Sequence, residues 1–338
     1  MASTMEQKLY YNTVLSQTFS PDGNYLLAGN IYGDVSVFDL SRTLGPNKVE
    51  ENDFQGPNYC FTAHSHQQIA CMLPTEDFLV IGTRGEISGW DWKMVTSSKA
   101  PNSKMSWSIQ IPTNKDSYEK PDVNYMVYSK SNKLLYTGCG DNNIYIINLE
   151  DGKISRDMQG HSDYIHCLAI MGNQLTSCSE DGSVRLWDLR KRENTNILTP
   201  HLVDKVARPR LGKWIGAVDF TEDWLLCGGG PSLSLWHMRT MEAATIFDLA
   251  DQGIHVAEIY EERVIAAGAA PYIYHLTYQG ETLAKVPTSS NTVYSVVYQE
   301  LPQKVLSAAG SSNYLDLCTN FNYREMILKF VDLKMSTV

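Results

Sequence analysis

GHSDYIHCLAIMGNQLTSCSEDGSVRLWDLR, residues 160–190, decides the fold. It opens on Gly160-His161, closes on Trp187-Asp188, and places the turn pair Asp181-Gly182 between two apolar runs. In the first run Ile165, Cys167 and Ala169 alternate with His166, Leu168 and Ile170, the pattern of a strand buried on both faces. Gln174 to Ser179 reads as a second strand. Glu180-Asp181-Gly182 then makes a tight hairpin turn, because glycine tolerates positive φ and aspartate bonds its own backbone. Ser183 to Leu189 is a third strand, with Val184, Leu186 and Trp187 supplying apolar surface.

This unit resembles one blade of a WD40-type β-propeller, a repeat of roughly 40–45 residues running from a Gly-His to a Trp-Asp. One blade cannot bury its own faces, so neighbours are expected along the chain. Working outward gives six more copies. The first, 14–40, has the turn Ser20-Pro21-Asp22-Gly23 and Phe38-Asp39 in the Trp-Asp position. The second, 61–92, has Ala63-His64 and Trp90-Asp91, and the third, 123–149, ends in Ile147-Asn148. Beyond the opening stretch lie 213–238, 254–277 and 289–320, with Trp236-His237, Tyr274-His275 and Cys318-Thr319. The closing dipeptides fall roughly 38 to 57 residues apart, around one blade length. The predicted fold is therefore all-β, a single seven-bladed WD40-type β-propeller over 13–331, closed by a strand at 323–330. Residues 1–12 form an N-terminal extension and 332–338 a tail. Within the extension 4–12 reads as a short helix, with Thr4 as N-cap and Gln7 three positions on; an outer strand on the seventh blade is the alternative. The insertions 41–58 and 93–121 are each expected to contain their blade's outer strand, with 106–111 serving the second. The remainder of each is either functional loop or solvated slack.

Composition narrows the function. With 43% hydrophobic and 20% charged residues the chain is an ordinary globular sequence. No apolar run reaches the ~18 residues of a transmembrane helix, and MASTMEQKLYYN lacks a signal-peptide core. Seven scattered cysteines without a Cys-x-x-Cys pair favour reduced thiols in an intracellular compartment. A net charge of −10 repels nucleic acid as a whole, so any RNA contact must come from a local basic patch or a partner.

Four polar residues of the opening stretch match the WD40 family's structural tetrad. The resemblance implies that Trp187 donates its indole N–H to Ser177, which bonds His161, which bonds Asp181 of the turn. The second repeat has Arg84 where the aspartate should sit and the fifth has Gly230, so members are expected to be lost together. A catalytic Ser-His-Asp reading is disfavoured, since the serine is committed to the tryptophan and no oxyanion hole is suggested. His161, His166, Cys167 and Cys178 invite a zinc reading, but adjacent His166 and Cys167 point to opposite faces of a strand. Gly228-Gly229-Gly230 is followed by neither Lys-Ser/Thr nor a helix and reads as a hairpin turn. No metal, cofactor, catalytic residue or small-molecule substrate is expected.

One charge anomaly stands out. Between Arg185 and Lys213 lie eight basic residues (Arg185, Arg190, Lys191, Arg192, Lys205, Arg208, Arg210, Lys213) and three acidic ones (Asp188, Glu193, Asp204). The run is either a solvated loop or a contact for RNA phosphates or an acidic partner segment. Family resemblance maps the exposed partner-contact positions to Tyr164, His166 and Glu180, with Trp214 opening the fifth blade at the position of Tyr164. Trp214 is either a hot spot or packing against a neighbouring blade.

A finer resemblance covers nearly the whole propeller. GHSDYIHCLA (160–169), SEDGSVRLWDLR (179–190), GKWIGAVDF (212–220) and WLLCGGGPSLSLWHMR (224–239), followed by Thr245-Ile246-Phe247, are similar to the THO complex subunit 6 family. So are FSPDGNYLLAGNIYGDVSVFDL (19–40) and AAGSSNYLDLCTNFNYR (308–324). Trp-Ile-Gly and Cys-Gly-Gly-Gly-Pro are the specific elements, since they are not general WD40 features. The resemblance implies a non-catalytic scaffold of the nuclear THO/TREX assembly, located in nuclear speckles. That assembly couples transcription and splicing to mRNA packaging and export. It also implies docking on the coiled-coil pair of subunits 5 and 7, with mRNA reached indirectly and direct RNA binding weak. Two other classes remain open, a WD40 substrate receptor of a ubiquitin ligase and a propeller enzyme.

Overall fold

Burial explains why the second strand of each blade lacks a polar/apolar alternation. Tyr25–Asn30, Phe78–Thr83, Leu134–Cys139, Gln174–Ser179, Trp224–Gly229, Arg263–Gly268 and Val305–Gly310 are buried at every position after the first. Each is paired on both edges and covered on both faces, so alternation disappears. The outermost strands carry the opposite signature. Lys153–Met158 and Asn194–Leu198 leave most of their side chains partly or fully exposed.

A computed structural model describes residues 9–45, 54–97, 104–113, 119–191, 193–249 and 252–331. Seven sheets follow one another along the chain, six with four strands and the seventh with a fifth added at its outer edge, and together they make a seven-bladed β-propeller. In the fourth blade Ile165–Met171, Gln174–Ser179, Val184–Asp188 and Asn194–Leu198 pair antiparallel in that order. Its inner strand is fully buried only at Ile165, Cys167 and Leu168; from Ala169 onward it is half-buried.

The chain divides into two units, 1–108 with 286–338, and 109–285. In the first unit, apolar layers join the seventh blade to the first through Leu315, Leu328 and Phe330 against Leu26 and Phe38. Leu27 and Val37 meet Leu79, Ile81 and Trp90 of the second blade. The second unit holds blades three to six. There, Tyr136 and Ile146 meet Leu168 and Leu175, and Cys178 and Val184 meet Ile215 and Trp236. Leu226 and Leu235 meet Val264 and Leu276.

The boundaries of the first two blades differ from the sequence expectation. The first blade's outer strand is Tyr59–Thr62, paired with Asp34–Asp39, so position 61 falls inside the first blade. The second begins at Cys71 and is completed by Trp107–Gln110. A β-carbon at Gly89 would lie 2.0 Å from Trp107 Cε2, so only glycine admits that indole. The insertion 41–58 instead sends Phe54–Gln55 to the seventh blade, parallel to Ile327 and Leu328. An outer strand presents unpaired N–H and C=O groups, and this segment covers two residues of that edge. The closing strand of the seventh blade is Tyr323–Lys329. Leu9 and Tyr10 are helical, whereas Thr4, Gln7 and the tail 332–338 lie outside the described residues.

Candidate functional site

Six inner strands share a register shift at their second residue. A bulge of this kind twists the strand and re-aims one side chain. In the second unit the bulged residues are Asn124, His166, Gly216 and His255. Asn124 Nδ2 donates to the Ile165 carbonyl at 2.8 Å, tying the third blade to the fourth. His166 Nε2 lies 2.9 Å from Glu180 Oε2, so those two residues face each other across the end of one blade.

Gly216 has no side chain to aim, and Trp214 takes the space. A β-carbon at Gly216 would lie 2.6 Å from Trp214 Cζ3. The indole stacks on His255, with centroids 5.2 Å apart and planes 22° apart, and meets His166 edge-on at 6.4 Å. Its N–H donates to the Leu211 carbonyl at 2.8 Å. Trp214 is thus a half-buried residue that packs against side chains of the fourth and sixth blades. Burial, and then the neighbouring His166, lower the His255 pKa to about 4. Tyr164, beside this strip, remains 55% exposed.

The four tetrad residues meet in the fourth blade. Trp187 Nε1 donates to Ser177 Oγ at 2.8 Å, and Ser177 Oγ lies 2.7 Å from His161 Nε2. His161 Nδ1 lies 2.9 Å from Asp181 Oδ2, which also accepts the Ser162 N–H at 3.0 Å. Burial lowers the His161 pKa against the opposing pull of Asp181. Burial works the other way on Asp181, but its bonds from His161 and Ser183 prevail and hold its carboxyl low. The network is therefore a neutral imidazole donating to a carboxylate.

Partial networks survive in the two blades that lack the turn aspartate but keep the tryptophan. In the second blade Trp90 Nε1 donates to Ser88 Oγ at 3.0 Å and His64 Nε2 lies 2.8 Å from the same oxygen. In the fifth, Trp236 Nε1 donates to Ser234 Oγ at 2.8 Å. The hydroxyl has moved from the second strand to the third, two residues before the tryptophan. Ser88-Gly89-Trp90 and Ser234-Leu235-Trp236 carried that signal as a Ser-x-Trp spacing. The seventh blade puts Asp316 two residues before Cys318, where the fully buried carboxylate accepts Ser289 N, Ser289 Oγ and Arg324 Nη1.

The basic run does not form one patch. Arg190 and Lys191 follow Val184–Asp188, whereas Lys205 to Lys213 follow Asn194–Leu198. Since those strands are antiparallel neighbours, the two groups sit at opposite ends of the blade, separated by a five-residue strand, ~17 Å. Arg190 Nε and Nη2 are taken up by the Asp188 carboxylate at 2.8 Å each. Arg185 Nη1 donates to Asn194, and Arg192 lies outside the described residues. Arg208 donates to the carbonyls of Gly230, Gly229 and Pro231 at 2.8, 3.1 and 3.0 Å. It is a structural clamp on the Gly-Gly-Gly-Pro turn. Lys205, Arg210 and Lys213 remain exposed.

Deeper along the same inner strands, Asp219 and Glu258 occupy matching positions of the fifth and sixth blades. Asp219 Oδ2 accepts the Ile259 N–H at 2.7 Å, a second tie between blades. Burial, and then the charge of Asp219, raise Glu258 to about pKa 8. Folding therefore takes up a proton at Glu258 between its unfolded pKa and 8, and stability falls as pH rises through that window. Glu258→Gln is expected to stabilise the chain by ~1–2 kcal/mol at pH above 8 and to flatten this slope. Urea unfolding at two pH values checks it; an equal or larger loss in the variant at high pH would contradict it.

A blade held by linked Trp, Ser, His and Asp side chains, repeated in reduced form around it, places the chain among the WD40-type β-propellers. The family model described as the nucleolar protein 10-like N-terminal domain matches residues 121–234. Over 96% of its length the chain is 37% identical to the Danio rerio THO complex subunit 6 homolog, covering 99% of that protein. It is 38% identical to THO complex subunit 6 of Drosophila melanogaster, over 94% of this chain and 89% of that one. The Homo sapiens protein of that name is 36% identical, over 94% of this chain and 93% of its own length. The chain belongs to the THO complex subunit 6 family.

Proposed function

We propose that the chain is a non-catalytic scaffold subunit of a nuclear THO complex. The observation that carries this reading is end-to-end similarity to relatives named THO complex subunit 6, with 37% identity over 96% of the chain in one of them. In this reading the complex, as part of TREX, couples transcription and splicing to mRNA packaging and export. The propeller docks on the coiled-coil pair of subunits 5 and 7 and acts in the nucleus, in nuclear speckles. A binding role is supported by the chemistry of the fourth blade. Ser177 is fully buried and already accepts the Trp187 indole, so the Ser-His-Asp trio has no free nucleophile. The net charge of −10 and the divided basic run support an indirect route to RNA.

Co-expression with subunits 5 and 7 tests the proposal. The expected result is a stoichiometric ternary complex that survives gel filtration at physiological salt. The same preparation of free chain should bind single-stranded RNA more weakly than micromolar. A chain that elutes free of the pair, or binds RNA below micromolar, would contradict the scaffold reading.

A further inference from the structure

The connection from the fourth blade to the fifth is long, yet it is held along its whole length. His201 Nδ1 donates to the Gly182 carbonyl at 3.0 Å, and the Ser232 N–H donates to the Val206 carbonyl at 2.9 Å. Val206 is fully buried, Arg208 clamps the turn at Gly229, Gly230 and Pro231, and Trp214 closes onto Leu211. A loop pinned at this many points is a preformed platform, so a ligand does not have to order it on binding.

Of the charged side chains it leaves exposed, three are cations and one, Asp204, is an anion. Lys205, Arg210 and Lys213 are exposed, and none has a carboxylate partner among the described residues. Two large apolar side chains are exposed at the same end of the blade, Leu202 at 70% and Tyr164 at 55%, the latter joined through its carbonyl to Glu180 N of the turn. The two ends of the connection meet at the turn. A β-carbon at Gly182 would lie 3.0 Å from Lys213 Cβ and 2.7 Å from His201 Nδ1, so turn and platform meet there. On a chain of net charge −10, three exposed cations against one exposed anion at a blade end that also exposes Leu and Tyr select for opposite charge with an apolar stripe.

We propose that this face of the fourth and fifth blades, formed by Tyr164, Leu202, Lys205, Arg210 and Lys213, docks an acidic amphipathic helix of a partner protein. In naming a helical protein as occupant the proposal rests on the scaffold reading above. RNA fits the surface less well. A phosphate backbone needs a continuous cationic track, and the basic run is cut by a strand that sends Arg190 and Lys191 to the opposite edge.

The test uses the full chain and a fluorescent synthetic helix with glutamates on one face and leucines on the other. The wild type is expected to bind it, more tightly at low salt. The triple reversal K205E/R210E/K213E should lose affinity about tenfold or more, and Tyr164→Ala or Leu202→Ala should also weaken it. Reversing Arg190 and Lys191 on the other edge should leave binding unchanged. All five positions are solvent-exposed, and the unfolding midpoint of each variant verifies folding. The proposal is overturned if the wild type does not bind the helix, if the triple reversal binds as the wild type does, or if single-stranded RNA binds this face more tightly. The coiled-coil pair of subunits 5 and 7 separates the two readings. Binding of the pair that ignores the triple reversal removes the surface and keeps the scaffold. Binding of the synthetic helix without binding of the pair keeps the surface and removes the named partner.

Discussion

Ser177→Ala is expected to destabilise the chain by about 3 kcal/mol, the largest effect of a change this small. One oxygen serves two buried partners, accepting from Trp187 Nε1 at 2.8 Å and lying 2.7 Å from His161 Nε2. Its removal takes away two hydrogen bonds, at about 1 kcal/mol each, and leaves two desolvated nitrogens unpaired. No side chain can move in, because His161 is fixed by Asp181 and Trp187 lies packed among Leu168, Leu175 and Ile146. The difference from wild type should shrink in acid. His161 is held neutral and Asp181 ionised, so the network's stability is lost as pH falls below the unfolded histidine pKa and then below the carboxylate range. Equilibrium urea unfolding reads this as a lower midpoint with an unchanged slope. A variant within about 0.5 kcal/mol of wild type would mean that the network contributes specificity without stability.

Arg208→Ala should cost about 2–3 kcal/mol, whereas Lys205→Ala, Arg210→Ala and Lys213→Ala should each fall within about 0.5 kcal/mol. The contrast follows from what each cation touches. The Arg208 guanidinium spans three carbonyls of one turn, and Gly229, Gly230 and Pro231 are all buried there. Without it those acceptors lose charge-assisted bonds in a place water reaches poorly. Arg208→Lys should recover little, because one ammonium cannot match a planar fork. The exposed three have no such contacts to lose. Thermal or urea unfolding of the four variants checks the ranking, and an Arg208→Ala chain as stable as Lys205→Ala would contradict the clamp.

The regular parts of the molecule were legible in the sequence because they are local. Gln174–Ser179 and the Asp181-Gly182 turn follow from strand periodicity and turn chemistry, and Gly182 adopts the positive φ of 86° that the turn requires. Seven blades could be counted because a closing dipeptide recurs at about one blade length, from Phe38-Asp39 to Cys318-Thr319. What was not legible depends on who meets whom. Ser88 and Ser234 do the work of Ser177 from a different strand, so a search by position misses them while a search by spacing from the tryptophan finds them. The basic run looked continuous because the chain is one-dimensional; Asn194–Leu198 divides it in space. Arg208 could not be told from Arg210 by residue type, since only the fold brings the Gly229 to Pro231 carbonyls to one of them. Trp214 owes its position to Gly216, a glycine whose role shows only when the indole is seen across it.

Purification of the tagged full chain from nuclear extract, with its stoichiometric partners identified, tests the central claim most directly. The account predicts the remaining THO subunits, with the coiled-coil pair of subunits 5 and 7 retained at the highest salt. Recovery of a cullin adaptor in their place, or of the chain alone, would contradict it.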